Sequence, residues 1–300
     1  MTPTLVVITG PTAVGKTEIG VQLAEYFKSE IISADSRQMF RELKIGTALP
    51  SQDQLSRVKH HFIGNLSISD YYNASMFEVD VLALLDKLFP SMPVVFMVGG
   101  STLYINSVFH GIDDLPTVDP QLRLDLLAQY HEQGIEFLQL KLKTLDPEYY
   151  LRVDLKNPNR LLKAIEVSLM TGKPYSSFLT STLKKRDFKI IKIGLNKNRE
   201  ELFEQINSRV DLMIENGLLE EVKSLYSNKH LNSLNTVGYK ELFSYFDNEI
   251  SLMEAVDLIK RNTRNYAKRQ LTWFKRDKDI VWFEPNQKQE IIDCIKNKLA

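Results

Sequence analysis

Short apolar runs along this chain alternate with stretches whose apolar positions recur every three or four residues. Leu5-Val6-Val7-Ile8-Thr9 is continuous and rich in β-branched residues, the pattern of a strand buried on both faces. Residues 10–15 follow as a loop. Residues 16–28 then place Ile19, Leu23 and Phe27 at helical spacing. Ile31-Ile32 predicts a second short strand ending at Asp35, and Val94-Val95-Phe96-Met97-Val98 a third ending at Gly99-Gly100. Residues 190–195 predict a fourth strand and residues 280–283 a fifth. Between the third and fourth, residues 114–186 carry a helical pattern punctuated by Pro116, Pro120, Pro147, Pro158 and Pro174. Residues 199–277 are again largely helical. This order predicts an α/β fold, a parallel sheet covered by helices. A helical insertion (114–186) interrupts a core made of residues 1–113 and 187–300.

Composition narrows the class. The 300 residues are 43% apolar and 25% charged, an ordinary globular balance long enough for about two domains. Lys+Arg and Asp+Glu are both 38, which excludes a globally basic nucleic-acid coat but leaves room for a local basic patch. The single cysteine, Cys294, can form neither an internal disulfide nor a cysteine zinc cluster. No apolar run approaches the roughly 18 residues of a membrane span, and the first residues lack the pattern of a signal peptide. A cytoplasmic location is the expectation.

The sharpest local signal is Gly10-Pro11-Thr12-Ala13-Val14-Gly15-Lys16-Thr17, which fits G-x-x-x-x-G-K-[ST] with a buried strand before it and a helix after it. Such a loop points backbone N–H groups at phosphate oxygens, and the helix N-terminus adds its positive end. Lys16 is expected to meet the terminal phosphates, and the Thr17 hydroxyl to bind Mg²⁺. The motif predicts a di- or triphosphate ligand without saying which. The strand at 94–98 ends in two glycines, with no carboxylate to hold a metal and position water, which argues against an ATP motor. Asp35 lies 19 residues after Lys16, at the carboxyl end of the second strand, where an acceptor could bind. It has two readings, a turn or N-cap residue, or a base that takes a proton from an attacking group.

Several further segments, in order, are similar to one family. They are Asp35-Ser36-Arg37-Gln38-Met39-Phe40, Ile45-Gly46-Thr47-Ala48-Leu49-Pro50, His60-His61-Phe62-Ile63 and Gly99-Gly100-Ser101-Thr102-Leu103-Tyr104. Then come Asn157-Pro158-Asn159-Arg160 with Ala164-Ile165-Glu166-Val167, and Arg209-Val210-Asp211-Leu212-Met213 with Gly217-Leu218 and Glu221-Val222. Val237-Gly238-Tyr239-Lys240-Glu241 and Ala267-Lys268-Arg269-Gln270-Leu271-Thr272-Trp273-Phe274 complete the set. With the phosphate loop they run from residue 10 to about 276 and resemble the bacterial tRNA isopentenyl-diphosphate transferases, the tRNA dimethylallyltransferase family. The chain departs from the family pattern in two places. Ser101-Thr102 stands where the family has Thr-Gly, and Leu49 replaces a lysine, removing a cation that could meet phosphate.

The resemblance implies a P-loop NTPase-like core and transfer of a dimethylallyl group from dimethylallyl diphosphate to N6 of adenosine 37, beside the tRNA anticodon, with Mg²⁺. It implies that Gly10, Pro11, Thr12, Ala13, Val14, Gly15, Lys16 and Thr17 hold the diphosphate, and that Arg209 reaches it. It implies Asp35 as the base for the exocyclic amine. Asp35, Ser36, Arg37 and Gln38 would hold the flipped base, Ser101 and Arg123 would make further acceptor contacts, and Asn159 and Arg160 would meet the anticodon stem through the insertion. A monomer is expected.

The C-terminal third holds a local basic patch. From Lys260 to Lys278 eight cations face a single anion, Asp277, with Tyr266, Trp273 and Phe274 interleaved. Lys268 and Arg269 are the cations expected on tRNA phosphates; a solvated helix face with core aromatics is the alternative. Lys184-Lys185-Arg186 reads as a solvated turn, His60-His61 as structural or substrate-lining, and Met39, Met76, Met92 and Met213 as core. Three other functions remain: a small-molecule kinase, a transferase acting on free nucleotides, and a non-catalytic RNA-binding module. The first consumes ATP, the second has no need of the basic patch, and the third has no need of a base at Asp35.

Overall fold

The computed structural model describes residues 2–113, 115–116, 119–180 and 183–300. Six parallel strands form one sheet, β1 (Thr4–Thr9), β2 (Ile31–Ala34), β3 (His60–His61), β4 (Val94–Gly99), β5 (Lys189–Leu195) and β6 (Val281–Phe283), in the order β3-β2-β4-β1-β5-β6. The five strands expected from the apolar runs are present, with bounds shifted by one or two residues. The sixth, β3, pairs Ile31 and Ile32 of β2 with His60 and His61. Two residues of average polarity carry no alternation to read. His61 Nε2 meets Glu30 Oε2 at 2.5 Å, a structural role for that histidine.

The helices follow the parallel-sheet logic. On one face, α1 (Lys16–Tyr26), α9 (Arg199–Glu215) and α13 (Lys288–Leu299) pack on Val6 and Ile8 through Val21, Leu23, Leu202, Ile206 and Ile291. On the other, α3 (Ala74–Leu88) and α4 (Thr102–His110) pack on Leu5 and Val7 through Phe77, Val81, Ile105 and Val108. Each such fully buried aliphatic side chain contributes roughly 1.5–3 kcal/mol of transfer free energy. The short α2 (Gln52–Arg57) follows β2, held by a Ser51–Gln54 capping box. A third core, around Leu218, Leu234, Tyr239 and Ile259, is built by α9, α10 (Leu218–Ser224), α11 (Tyr239–Phe246) and α12 (Leu252–Phe274). The helical stretch expected at 199–277 is therefore four α-helices, with breaks at Gly217 and before Gly238, which both take positive φ, and at residues 247–251. The α12 helix ends at Phe274, so Lys275, Arg276 and Lys278 sit beyond it rather than on it.

The chain divides into two compact units, one running to His110 and resuming at Lys185, the other Gly111–Lys184. Asp114, the first residue expected in the insertion, lies outside the described residues. The second unit has its own core, Leu126, Leu138, Leu142, Leu161, Leu162 and Ile165, built by α5 (Pro120–Gln133), α6 (Ile135–Leu145), α7 (Pro147–Arg152) and α8 (Pro158–Thr171). Its prolines start helices: Pro147 and Pro158 follow caps in which Asp146 accepts from Tyr149 N and Asn157 from Arg160 N. No strand occurs among its described residues.

Arg186 corrects an expectation. It is no solvated turn residue: Nη2 donates to Glu78 at 2.8 Å and Nε to Val108 O at 2.9 Å, and both ionic side chains are buried. Single-sequence pattern shows a basic triplet, whereas the fold turns its last member onto the carboxyl end of α4. Met76 is likewise exposed rather than core, on the outer side of α3.

Candidate active site

The loops after β1, β2 and β4 meet at the carboxyl edge of the sheet, where the chain leaves β4 on one side of β1 for β5 on the other. That is the edge where open α/β sheets bind ligands. The loop after β1 is tightly wound. Gly10 has φ +145°, and a Cβ there would lie 2.3 Å from Leu195 O, so backbone conformation and space both demand glycine. Gly15 and Ala13 also take positive φ. Lys16 Nζ curls back to donate to Pro11 O at 2.7 Å. Burial, and the Arg209 guanidinium nearby, push its pKa down to about 7, against the pull of Asp35. Thr17 follows on the first turn of α1.

The turn reading of Asp35 is present in the structure. Its Oδ1 accepts from Arg37 N (2.9 Å) and Gln38 N (3.4 Å), an Asx turn. Among the described residues no donor meets Oδ2. The turn thus uses one carboxylate oxygen and not the other. Ser36 N donates to Ser101 Oγ at 2.9 Å, tying the loop after β2 to the loop after β4. The serine that departs from the family pattern keeps a hydroxyl in use. Gln38 donates to Thr47 O and Ala48 O and accepts from Ser33 Oγ, so its amide holds the neighbouring loop. Arg37 reaches Asn235 O at 3.4 Å.

These loops open on a cavity of about 370 Å³. Thr12, Asp35, Ser36, Arg37, Arg209 and Arg269 supply polar lining. Ile206, Val210 and Met213, one face of α9, line it with Leu218, Val237 and Ile259. Arg209 shares α9 with that apolar face, and its Nη1 comes within 3.5 Å of Thr12 Oγ1. Met213 is therefore a cavity wall more than a core filler. Tyr266 of α12 also lines the cavity; burial, then the nearby Asp35 carboxylate, raises its hydroxyl to about 12.

Of the remaining expected residues, Lys268 and Arg269 stand exposed on α12, Lys268 over the Phe203 ring and Arg269 over Tyr266. Arg269 reaches the cavity as well. The other cations of α12 are partly committed: Lys260 pairs with Asp211 and Arg264 with Asn207. Phe274 is core, the bland reading of that aromatic. Within the insertion, Asn159 and Arg160 are exposed on the first turn of α8. Arg123 Nη1 pairs at 2.6 Å with Glu166 Oε1, a fully buried carboxylate whose Oε2 has no hydrogen-bond partner among the described residues.

Sequence reasoning assigned no role to three groups that shape the site. Glu221 accepts from Lys44 N, Ile45 N, Gly46 N and the Tyr239 hydroxyl, clamping the loop that leads to Thr47. Gln270, buried on α12, bridges Thr12 N and Gly100 O. Tyr266 was visible only as one aromatic among cations. For Gln270 a signal exists: it sits three residues after Ala267 and four before Phe274, a polar side chain at a core position of the helix.

As to magnesium, no cluster of three His, Cys, Asp or Glu side chains occurs among the described residues. Mg²⁺ suits such a place, because it keeps several waters and takes few protein ligands when phosphates supply the rest.

Comparison with known proteins identifies the family. The family model IPP transferase matches residues 38–277. The chain is 54% identical over 295 residues to tRNA dimethylallyltransferase 1 of Phocaeicola vulgatus, covering 98% of each chain. It is 53% identical over 294 residues to tRNA dimethylallyltransferase 1 of Bacteroides thetaiotaomicron, covering 98% of this chain and 96% of that one. Among solved structures it resembles the full-length tRNA isopentenylpyrophosphate transferase of Bacillus halodurans, with TM-score 0.72 and 36% identity over 99% of this chain and 97% of that one. It also resembles a eukaryotic dimethylallyltransferase acting on tRNA, with TM-score 0.79 and 25% identity over 98% of this chain and 80% of that chain. The chain belongs to the IPP transferase family, the family of the tRNA dimethylallyltransferases.

Proposed function

We propose that this cavity transfers the dimethylallyl group of dimethylallyl diphosphate to N6 of adenosine 37 of tRNA, releasing diphosphate. Family membership makes the chain a prenyltransferase that acts on tRNA; donor, target atom and residue roles are the proposal. The observation that carries it is the mixed lining of the cavity. Thr12 of the phosphate loop and Arg209 line one part, Asp35, whose Oδ2 meets no donor among the described residues, another, and the apolar side chains Ile206, Val210, Met213, Leu218, Val237 and Ile259 complete the walls. A kinase needs the first two but has no use for the third. A five-carbon prenyl tail needs it, because only apolar surface rewards its removal from water.

The residues then divide the work. Backbone N–H groups of residues 10–17, Lys16 and Arg209 hold the diphosphate and stabilise the charge that grows as the C–O bond breaks. Mg²⁺, held by Thr17 and the diphosphate oxygens, would neutralise part of that charge. An aromatic amine is a poor nucleophile, since its lone pair is delocalised into the ring. Asp35 Oδ2 accepts its hydrogen bond and takes the proton as the N–C bond forms. Ser36, Arg37, Gln38 and Ser101 frame the flipped base, which has to leave the anticodon stack to reach a buried oxygen. Arg123, Asn159 and Arg160 of the insertion, with Lys268 and Arg269, would meet the tRNA. No helix among the described residues is long and apolar enough to cross a membrane; a cytoplasmic monomer is proposed.

Label transfer tests the reading. Protein, Mg²⁺ and unmodified tRNA are incubated with prenyl-labelled dimethylallyl diphosphate, beside a tube with γ-labelled ATP. Prenyl label on tRNA is expected. In Asp35→Ala the chemical step falls about 10²–10⁴-fold while diphosphate affinity stays near wild type. ATP label moving without prenyl transfer would return the site to the kinase reading, and near-normal turnover in Asp35→Ala would remove the base.

A further inference from the structure

Gln270 is 2% exposed and stands between the two halves of the proposed site. Its Oε1 accepts from Thr12 N at 2.8 Å, and its Nε2 donates to Gly100 O at 2.9 Å. The first arm reaches the phosphate loop at the residue whose hydroxyl meets Arg209. The second arm reaches the residue before Ser101, whose hydroxyl accepts from Ser36 N beside Asp35. The fit is close enough to dictate a neighbour: a Cβ at Gly100 would lie 2.3 Å from Gln270 Nε2. A carboxamide is the one uncharged side-chain group that offers an acceptor and a two-proton donor from one rigid plane. Both demands are met, on loops 88 residues apart in sequence.

We propose that Gln270 is a positioning residue for the transfer, setting the distance between the leaving diphosphate and the incoming amine by holding the loop after β1 in register with the loop after β4. It touches neither substrate. The inference rests on the function proposed above, and it adds a residue that acts through Thr12 and Gly100. A shift of about 1 Å between reacting groups can cost about 10²-fold in rate. The expected signature is therefore a loss in the chemical step with both substrates still bound.

Two variants test this in single-turnover prenyl transfer, with thermal melts beside them. Gln270→Met keeps volume and loses both hydrogen bonds. Its transfer rate is expected to fall about 10²-fold, with the KM of dimethylallyl diphosphate and of tRNA each within about threefold of wild type. Gln270→Glu keeps the acceptor towards Thr12. As a carboxylate it sets an oxygen against Gly100 O, but protonated it regains the donor. Burial raises a carboxyl pKa, so the ratio of Glu-variant rate to wild-type rate is expected to rise at least tenfold as the pH falls from 8.5 to 6. Lys16 in the phosphate loop, Asp35 after β2, Arg209 on α9, and Tyr266 and Arg269 on α12 are the other charged or titratable groups around the site; they are present in both proteins, and dividing by the wild-type rate at each pH isolates what the new carboxyl group adds. A Met variant within threefold of wild type overturns the proposal. So does a pH-independent Glu ratio, or activity that tracks only the folded fraction. If the Met variant fails to fold, the Glu ratio decides alone. A wild-type protein that transfers no prenyl group defeats the function itself, whatever the variants do.

Discussion

Lys16 donates to a carbonyl of its own loop while the Arg209 guanidinium stands nearby, and with a pKa near 7 it is only partly charged at neutral pH. A bound diphosphate brings negative charge to that spot and favours the ammonium. The sign follows directly: binding takes up a proton, and affinity falls as pH rises above 7. Calorimetric titration with pyrophosphate in two buffers of different ionisation enthalpy is expected to read net proton uptake between pH 7 and 8.5. In Lys16→Arg that part of the uptake disappears, because a guanidinium stays charged throughout. Equal uptake by both proteins would contradict the lowered pKa. Asp35 carries a second lesson at this scale. Its position after a strand was legible, but the split between an oxygen used in a turn and an oxygen left open is a matter of atomic geometry.

The α12 helix does three jobs on two faces. Its inward face carries Ala255, Ile259, Ala267 and Phe274 into the core and Tyr266 and Gln270 onto the loops of the site, while Lys268 and Arg269 stay exposed on the other. If the exposed cations meet RNA phosphates, Lys268→Ala weakens tRNA binding without changing the chemical step. The log–log salt slope of binding then falls by about 1; an unchanged slope would leave Lys268 as a solvated cation over Phe203. The Arg186–Glu78 pair belongs to this scale as well, because it ties β5's approach to α3 and to the end of α4. Arg186→Met removes the guanidinium that pairs with the buried Glu78 carboxylate and that donates to Ser107 O and Val108 O, and is expected to destabilise the chain in urea denaturation by about 1–3 kcal/mol. From sequence, the Lys184-Lys185-Arg186 cluster was indistinguishable from a solvated turn, because the partner lies 108 residues away.

At the scale of the whole chain, the insertion has a leucine-rich core separate from the two beside the sheet. Leu161 is fully buried in that core. Leu161→Ala is expected to cost about 2–5 kcal/mol, and calorimetry should show the loss in one of two transitions. Pyrophosphate affinity should stay within about twofold, because the phosphate loop belongs to the other unit. A single transition shifted as a whole would mean that the two units unfold together.

Local pattern determined five of the six strands, the helical insertion and the phosphate loop. Each is written in neighbouring residues: a β-branched run, a 3.6-residue period, and glycines and a lysine at set spacing. It also determined Asp35 as a candidate, through its place after a strand, and the family, through the order of many short segments. The tertiary structure alone decided which groups converge on them. Gln270 meets Thr12 across 258 residues, Glu221 meets the loop at residues 44–46, and α9 and α12 close the cavity with aliphatic side chains that read as ordinary core. The reason is physical. Local pattern reports which face of an element is buried, whereas hydrogen bonds between distant loops depend on distances that only the packed chain sets.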